Sequence, residues 1–157
     1  MKNYHGNIFM NKTMEKIIIH TDGGSRGNPG EAAIGIVIES VLTGKKEYGE
    51  YIGHATNNQA EYQAVVFALK KMKQLVGSDK CKDVSVEFYV DSELLAKQMN
   101  GEYKIKDEDI KDYFLEIWNL KIDFKEVSFK HILRDKNEAA DKLVNQVLDR
   151  ESNKLAI

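Results

Sequence analysis

The sequence predicts an α/β layered domain with a five-stranded mixed sheet, an antiparallel hairpin edge joined to a parallel portion. Three observations point there. Strand-like runs come first and then alternate with amphipathic helical stretches. "AAIGIVIES" and "KKEYGEYIG" are joined by only "VLTG", as antiparallel neighbours are. Two further runs, "IIIHTD" and "EFYVD", both end in aspartate and are followed later by helices, the pattern of parallel strands with right-handed crossovers.

Each element has a local reason. "KIIIHT" is short, apolar and β-branched, as a strand covered on both faces should be. From Asn57 to Val76, Ala64, Val65, Ala68, Leu69, Met72 and Leu75 recur at helical spacing, and Gly77 offers a stop. In "VSVEFYV", Val84, Val86, Phe88 and Val90 share one face. Ser92 caps the helix "SELLAKQMNG", which Gly101 closes. "DEDIKDYFLEIWNL" is a third helix, in which Trp118, among Phe114, Leu115 and Ile117, is expected to pack in the core. "FKEVSFKHIL" is the last strand and "NEAADKLVNQVLD" the last helix. The expected domain is 16–150, with a polar extension at 1–15 and a tail at 151–157.

At 157 residues the chain is long enough for one real core, and 42% hydrophobic with 31% charged residues fits a globular protein. A net charge of −2 gives no global attraction to nucleic acid, so a polyanion would need a local patch or bound metal. One cysteine, Cys81, excludes an internal disulfide and a cysteine zinc site, and suits a reducing cytoplasm. No stretch approaches the length of a membrane span, and the first residues lack the apolar region of a signal peptide. No partner protein is indicated.

Asp22 and Asp91 close two strands that, if parallel neighbours, place them about 5 Å apart at the edge where α/β sheets hold ligands. Glu61 lies on the helical row of Val65, Ala68 and Met72, and Asp141 on the row of Val144 and Leu148. Singly, each acid has an ordinary explanation as a turn, cap, dipole or solvated residue. Four from separate elements, all able to reach one sheet edge, are harder to explain that way. Carboxylates that close repel, so a cation must sit between them. With oxygen ligands and no His or Cys cluster, that cation is Mg²⁺ or Mn²⁺. Two such ions roughly 3.5–4 Å apart would suit phosphodiester hydrolysis.

"TDGGSRGNPG", "NNQAEYQAVVFAL", "FYVDSELLAKQMNGEY" and "LRDKNEAADKLVN" together resemble type 1 ribonuclease H, in order, from about Lys16 to about Asp149. The resemblance implies a ribonuclease H-like fold with helices on both faces, and endonucleolytic cleavage of the RNA strand of RNA–DNA hybrids, leaving 5′-phosphate and 3′-hydroxyl ends. It implies two Mg²⁺ ions with substrate bound, Mn²⁺ substituting, on Asp22, Glu61, Asp91 and Asp141. Gly23, Gly24, Ser25, Gly27, Asn28, Thr56, Asn57, Asn58 and Glu93 match substrate-binding positions, the glycines letting the backbone approach ribose 2′-hydroxyls. Many relatives carry Gln where this chain has Glu93.

Well-studied bacterial members also have a basic helical protrusion after the third motif. Here Tyr103–Leu120 holds Asp107, Glu108, Asp109, Asp112 and Glu116, so the chain is similar to the compact, archaeal-like branch. "ALKKMK" (Lys70, Lys71, Lys73) is the first substitute basic surface to consider.

Relatives use either a loop histidine or an arginine beside the last aspartate. Counting back ten residues from Asp141 reaches His131, but its row with Val127, Phe129 and Leu133 predicts a core strand residue. Arg134, at the strand end, is the favoured candidate, since a guanidinium suits a departing phosphate. A non-catalytic hybrid-binding module and a structure-specific DNA nuclease of the same fold are the competing readings. Phosphotransfer of the sugar-kinase type would need a second such domain.

Overall fold

The computed structural model describes residues 16–155; the expected extension at 1–15 lies outside the described residues. The elements run β1 (Lys16–Gly27), β2 (Gly30–Ser40), β3 (Gly44–Ala55), α1 (Asn57–Val76), β4 (Ser85–Val90), α2 (Glu93–Met99), α3 (Glu108–Lys121), β5 (Glu126–His131) and α4 (Glu138–Leu155). They form one mixed sheet in the order β3-β2-β1-β4-β5, with β1–β2–β3 antiparallel and β1–β4–β5 parallel. The last helix continues through Leu155, so the stretch from 151 onward is helical as far as it is described.

β1 differs from its expected form in a way that builds the site. Its parallel pairing with β4 ends at Thr21↔Val90, but its antiparallel pairing with β2 continues through Asp22↔Gly35 to Gly27↔Gly30. The glycine-rich stretch is therefore extended strand, turning at Asn28-Pro29 through a cis peptide, and only its tip is a turn. Beyond Thr21 the sheet has a notch: β1 runs on while β4 has stopped. Asp22 and Asp91 flank it.

The core lies on the face covered by α1, α2 and α3. Ile17 and Ile19 of β1, Phe88 of β4 and Phe129 of β5 meet Val65, Leu69 and Met72 of α1 and Ile110 and Ile117 of α3. Phe88 and Phe129 stack with centroids 5.0 Å apart. The opposite face carries α4, packed on β2, β1 and β3. It sits so close that a Cβ on Gly35 would lie 2.2 Å from the Ala140 carbonyl oxygen.

Trp118 is not in this core; it is 53% exposed, with Lys121 over its ring. The buried stripe of α3 is Ile110 and Ile117, with Tyr113, Phe114 and Leu120 partly covered, and Trp118 lies about 100° around the helix from Ile117.

Across the parallel half, Glu87 of β4 is 3% exposed and bridges Lys16 of β1 and Lys130 of β5. Burial raises its pKa, but hydrogen bonds from Lys16, Tyr89 and Lys130 outweigh that and hold it at about 2.

Candidate metal centre at the sheet notch

Gly23 explains how two carboxylates from different layers come together. A Cβ there would lie 2.3 Å from the Ala60 carbonyl carbon and 2.5 Å from the Glu61 nitrogen, so α1 rests directly on the β1 backbone. That contact puts Glu61 beside Asp22. Gly24, on the other face, is different: its Cβ would meet Val144 at 3.5 Å and Asn57 Oδ1 at 4.0 Å, both ordinary contacts. Gly27 has φ +96, which its place before the turn requires.

The start of α1 is fixed by a capping box: Thr56 Oγ1 accepts from Gln59 N at 3.1 Å, and Gln59 Oε1 accepts from Thr56 N at 2.8 Å. Asn57 Oδ1 accepts from Ser25 N at 2.9 Å, and Asn28 Oδ1 accepts from Asn57 N at 3.1 Å. These bonds lock the hairpin tip to the helix and use the oxygen end of each asparagine side chain. Asn58 is half-buried on the same first turn.

Oxygens of Asp22, Glu61 and Asp91 all lie within 4.8 Å of one another. Asp22 is only 9% exposed. Burial, then the charges of Asp91, Asp141 and Glu61, raise its pKa to about 8, against a hydrogen bond from Gly23 N–H at 3.0 Å. Burial likewise raises Glu61 to about 7, although a hydrogen bond from Ser92 and the charge of Arg134 pull it down. Ser92 Oγ also accepts from Leu95 N and starts α2.

Three of the four expected acids thus converge. Asp141 lines the same cleft of about 300 Å³ but stands outside the ligating trio, with its Oδ2 3.3 Å from Asn145 Nδ2. Arg134 opens the short turn Arg134–Lys136, is exposed and lines the cleft. His131 is the last residue of β5 and is exposed, which corrects its expected place in the core. Its row is covered at Phe129, and that cover ends before the strand does. Glu93, exposed in the first turn of α2, pairs with Lys97 at 2.8 Å.

Sequence reasoning passed over Asn137. It reads as a routine residue before a helix, yet it is 1% exposed and its Nδ2 donates to the Thr21 carbonyl at 2.9 Å and to Asp91 Oδ2 at 3.4 Å. Nothing in its spacing distinguishes that role from a helix cap.

A trio of partly buried, mutually repelling carboxylates without His or Cys in it suits a hard divalent cation. Such an ion would offset the burial that chiefly lifts Asp22 and Glu61 and neutralise the repulsion that adds to it.

Residues 20–147 match a family model described as reverse transcriptase-like. The chain is 38% identical over 135 residues to ribonuclease HI of Halobacterium salinarum, covering 85% of this chain and 65% of that one. It is 33% identical over 136 residues to a bifunctional protein of Mycobacterium tuberculosis, covering 85% of this chain and 36% of the other. It therefore spans less than two thirds of the length of these curated relatives. Among solved structures, the Halobacterium salinarum RNase H1 has a TM-score of 0.77 at 38% identity, covering 86% of this chain and 98% of that one. LC11-RNase H1 in complex with an RNA/DNA hybrid has a TM-score of 0.79 at 44% identity, with 86% and 98% covered.

Proposed function

From the premise that this chain belongs to the type 1 ribonuclease H family, we propose that it hydrolyses the RNA strand of RNA–DNA hybrids, using divalent cations held at the notch. The observation that carries this reading is the convergence of Asp22, Glu61 and Asp91 at one sheet edge, inside a cleft that also takes in Asp141 and Arg134. The matched substrate in LC11-RNase H1 is an RNA/DNA hybrid, which supports the same substrate class here.

Asp22, Glu61 and Asp91 hold the metal, Mg²⁺ with Mn²⁺ able to replace it, and Asp141 completes the set when substrate is present. Two such ions, when bound there, would supply an activated water and neutralise the leaving oxygen, and the cleaved strand would carry 5′-phosphate and 3′-hydroxyl ends. The protein's own groups orient the strand. Gly24 needs no glycine for internal packing, so its bare backbone is available to a ribose 2′-hydroxyl, the group that distinguishes RNA from DNA. Asn28 and Asn57 have their oxygens engaged internally and offer their NH₂ ends to phosphate or base, with Ser25, Thr56 and Asn58 beside them. Glu93, in the first turn of α2, serves as a sugar contact once it gives up its pairing with Lys97. Arg134 stabilises charge on the departing phosphate, a role its permanently charged guanidinium suits.

No described helix is long and apolar enough to cross a membrane. The lone buried Cys81 is in keeping with the cytoplasm, which we include in the proposal.

The test uses labelled RNA–DNA hybrid, double-stranded RNA and double-stranded DNA, each with Mg²⁺, Mn²⁺ or EDTA. Metal-dependent cutting of RNA in the hybrid is expected. Binding without cutting would favour a hybrid-binding module, and preferential cutting of DNA a DNA nuclease of this fold.

A further inference from the structure

Asn137 is the least exposed polar residue in the described core, and it ties Asp91, the Arg134 turn and the start of α4 to β1. Its side-chain nitrogen faces two acceptors, the Thr21 carbonyl and Asp91 Oδ2, so the amide can sit only with its NH₂ toward them. Its backbone N–H donates to the Arg134 carbonyl at 3.0 Å, and its carbonyl accepts from Asp141 N at 3.2 Å. One residue thereby touches the strand that carries Asp22, the Asp91 carboxylate, the turn that carries Arg134 and the helix that carries Asp141. Its Oδ1 is buried without a partner. An apolar side chain of the same shape would leave no such orphan, but could hold neither acceptor.

We propose that Asn137 is a positioning residue of the metal centre: its amide orients the Asp91 carboxylate and pins the start of α4 to β1, setting how far Asp141 stands from the trio. This rests on the metal-centre reading given above. The competing role is only to start α4. The side chain is turned away from that job, because its bonds go to β1 and to Asp91 just past the end of β4, and none to the first turn. Asp and Ser start helices as well as Asn does. A mere helix start would therefore accept either.

The experiment uses the full chain and two substitutions. Asn137→Asp keeps the shape and replaces the donor with an acceptor facing a carboxylate. Asn137→Ser keeps a helix-starting oxygen but is too short to reach Asp91. Mn²⁺ affinity by calorimetry, melting in EDTA, and kcat and KM on hybrid are measured for each.

Both variants are expected to bind Mn²⁺ about 10-fold more weakly or worse and to lose about 10-fold or more in kcat, with KM for hybrid within about 2-fold. Raised Mn²⁺ should restore part of kcat in Asn137→Ser. Lower melting temperatures with unchanged Mn²⁺ affinity and kcat in the folded protein would overturn the proposal. If Asn137→Asp does not fold, Asn137→Ser decides alone. A wild-type protein that binds Mn²⁺ but cuts no hybrid would sink the functional reading while the affinities still judge Asn137. A wild-type protein that binds no Mn²⁺ would sink both.

Discussion

Asp22 and Glu61, with pKa values of about 8 and 7, keep protons in the metal-free fold that the unfolded chain releases near pH 4. Between those limits the folded state holds more protons on these two groups than the unfolded one, so their contribution to metal-free stability is fullest below about pH 4 and falls as pH rises toward 8. Glu87 has the opposite sign: its stabilisation is present above about pH 4.5 and is lost only as pH falls toward 2, outside that window. Melting temperature in EDTA should therefore decline from pH 5 to pH 8, and a flat or rising profile would contradict the cluster's electrostatics. Asp22→Asn should flatten that profile and raise the metal-free melting temperature at pH 8 by a few degrees, each kcal/mol being worth about 2–4 °C at this length. Asp22→Asn and Asp91→Asn should each abolish metal-dependent cleavage of a hybrid. Arg134→Ala should lower kcat several-fold, measured with excess hybrid. His131→Ala, at an exposed strand end, should shift stability by no more than about 0.5 kcal/mol. A slow, well-folded His131→Ala beside a normal Arg134→Ala would reverse that assignment.

At the scale of elements, Gly23 and Gly24 make a contrasting pair. Gly23→Ala forces a Cβ into the backbone of α1 and should cost at least about 1–3 kcal/mol in denaturant unfolding. Gly24→Ala fits the fold and should unfold normally, raising KM for hybrid instead; equal stability losses in the two would remove the distinction. Much of this layer was legible in sequence. Ser92 and Gly77 mark helix ends because capping is local chemistry, and the structure adds Thr56 and Asp107 as the caps of α1 and α3. What the glycines hid was β1 itself: a stretch so rich in Gly reads as a loop, and only pairing with β2 keeps it extended. Trp118 sits one residue off a true apolar stripe, and His131 lies in a true strand row, so each looked buried until the cover above it was known. The four acids were identifiable because two follow apolar strand runs and two lie on core-facing helical rows; that Asp141 stands apart from the other three depends on a helix-to-sheet distance no local pattern encodes.

For the whole molecule, charge limits grip. The candidate basic surface on α1 is already occupied within the chain: Lys70 pairs with Glu116 at 2.5 Å, Lys73 with Asp123 at 2.5 Å, and Lys71 lies over Tyr48 and Phe67. With a net charge of −2 and an acidic α3, few phosphates are neutralised by Lys or Arg. Hybrid affinity should fall less steeply with salt than for a relative with a basic protrusion, read from log–log slopes of the binding constant. An equal or steeper slope would mean that these lysines exchange their internal partners for phosphate.

The continuation of β1 past the end of β4 also governs which changes in chain length the protein can absorb. A loop could gain or lose a residue and still present Asp22 to the cleft. A strand cannot, because successive residues face opposite sides: deleting one position between Ile17 and Asp22 would turn the aspartate toward α1 and leave Gly23 in its place. The hairpin arms are thus bound by parity. Length variation is confined to the tip at Asn28-Pro29, to the β2–β3 turn at 41–43, and to the register shift opposite Ala32 and Ala33, where β3 already holds an extra residue.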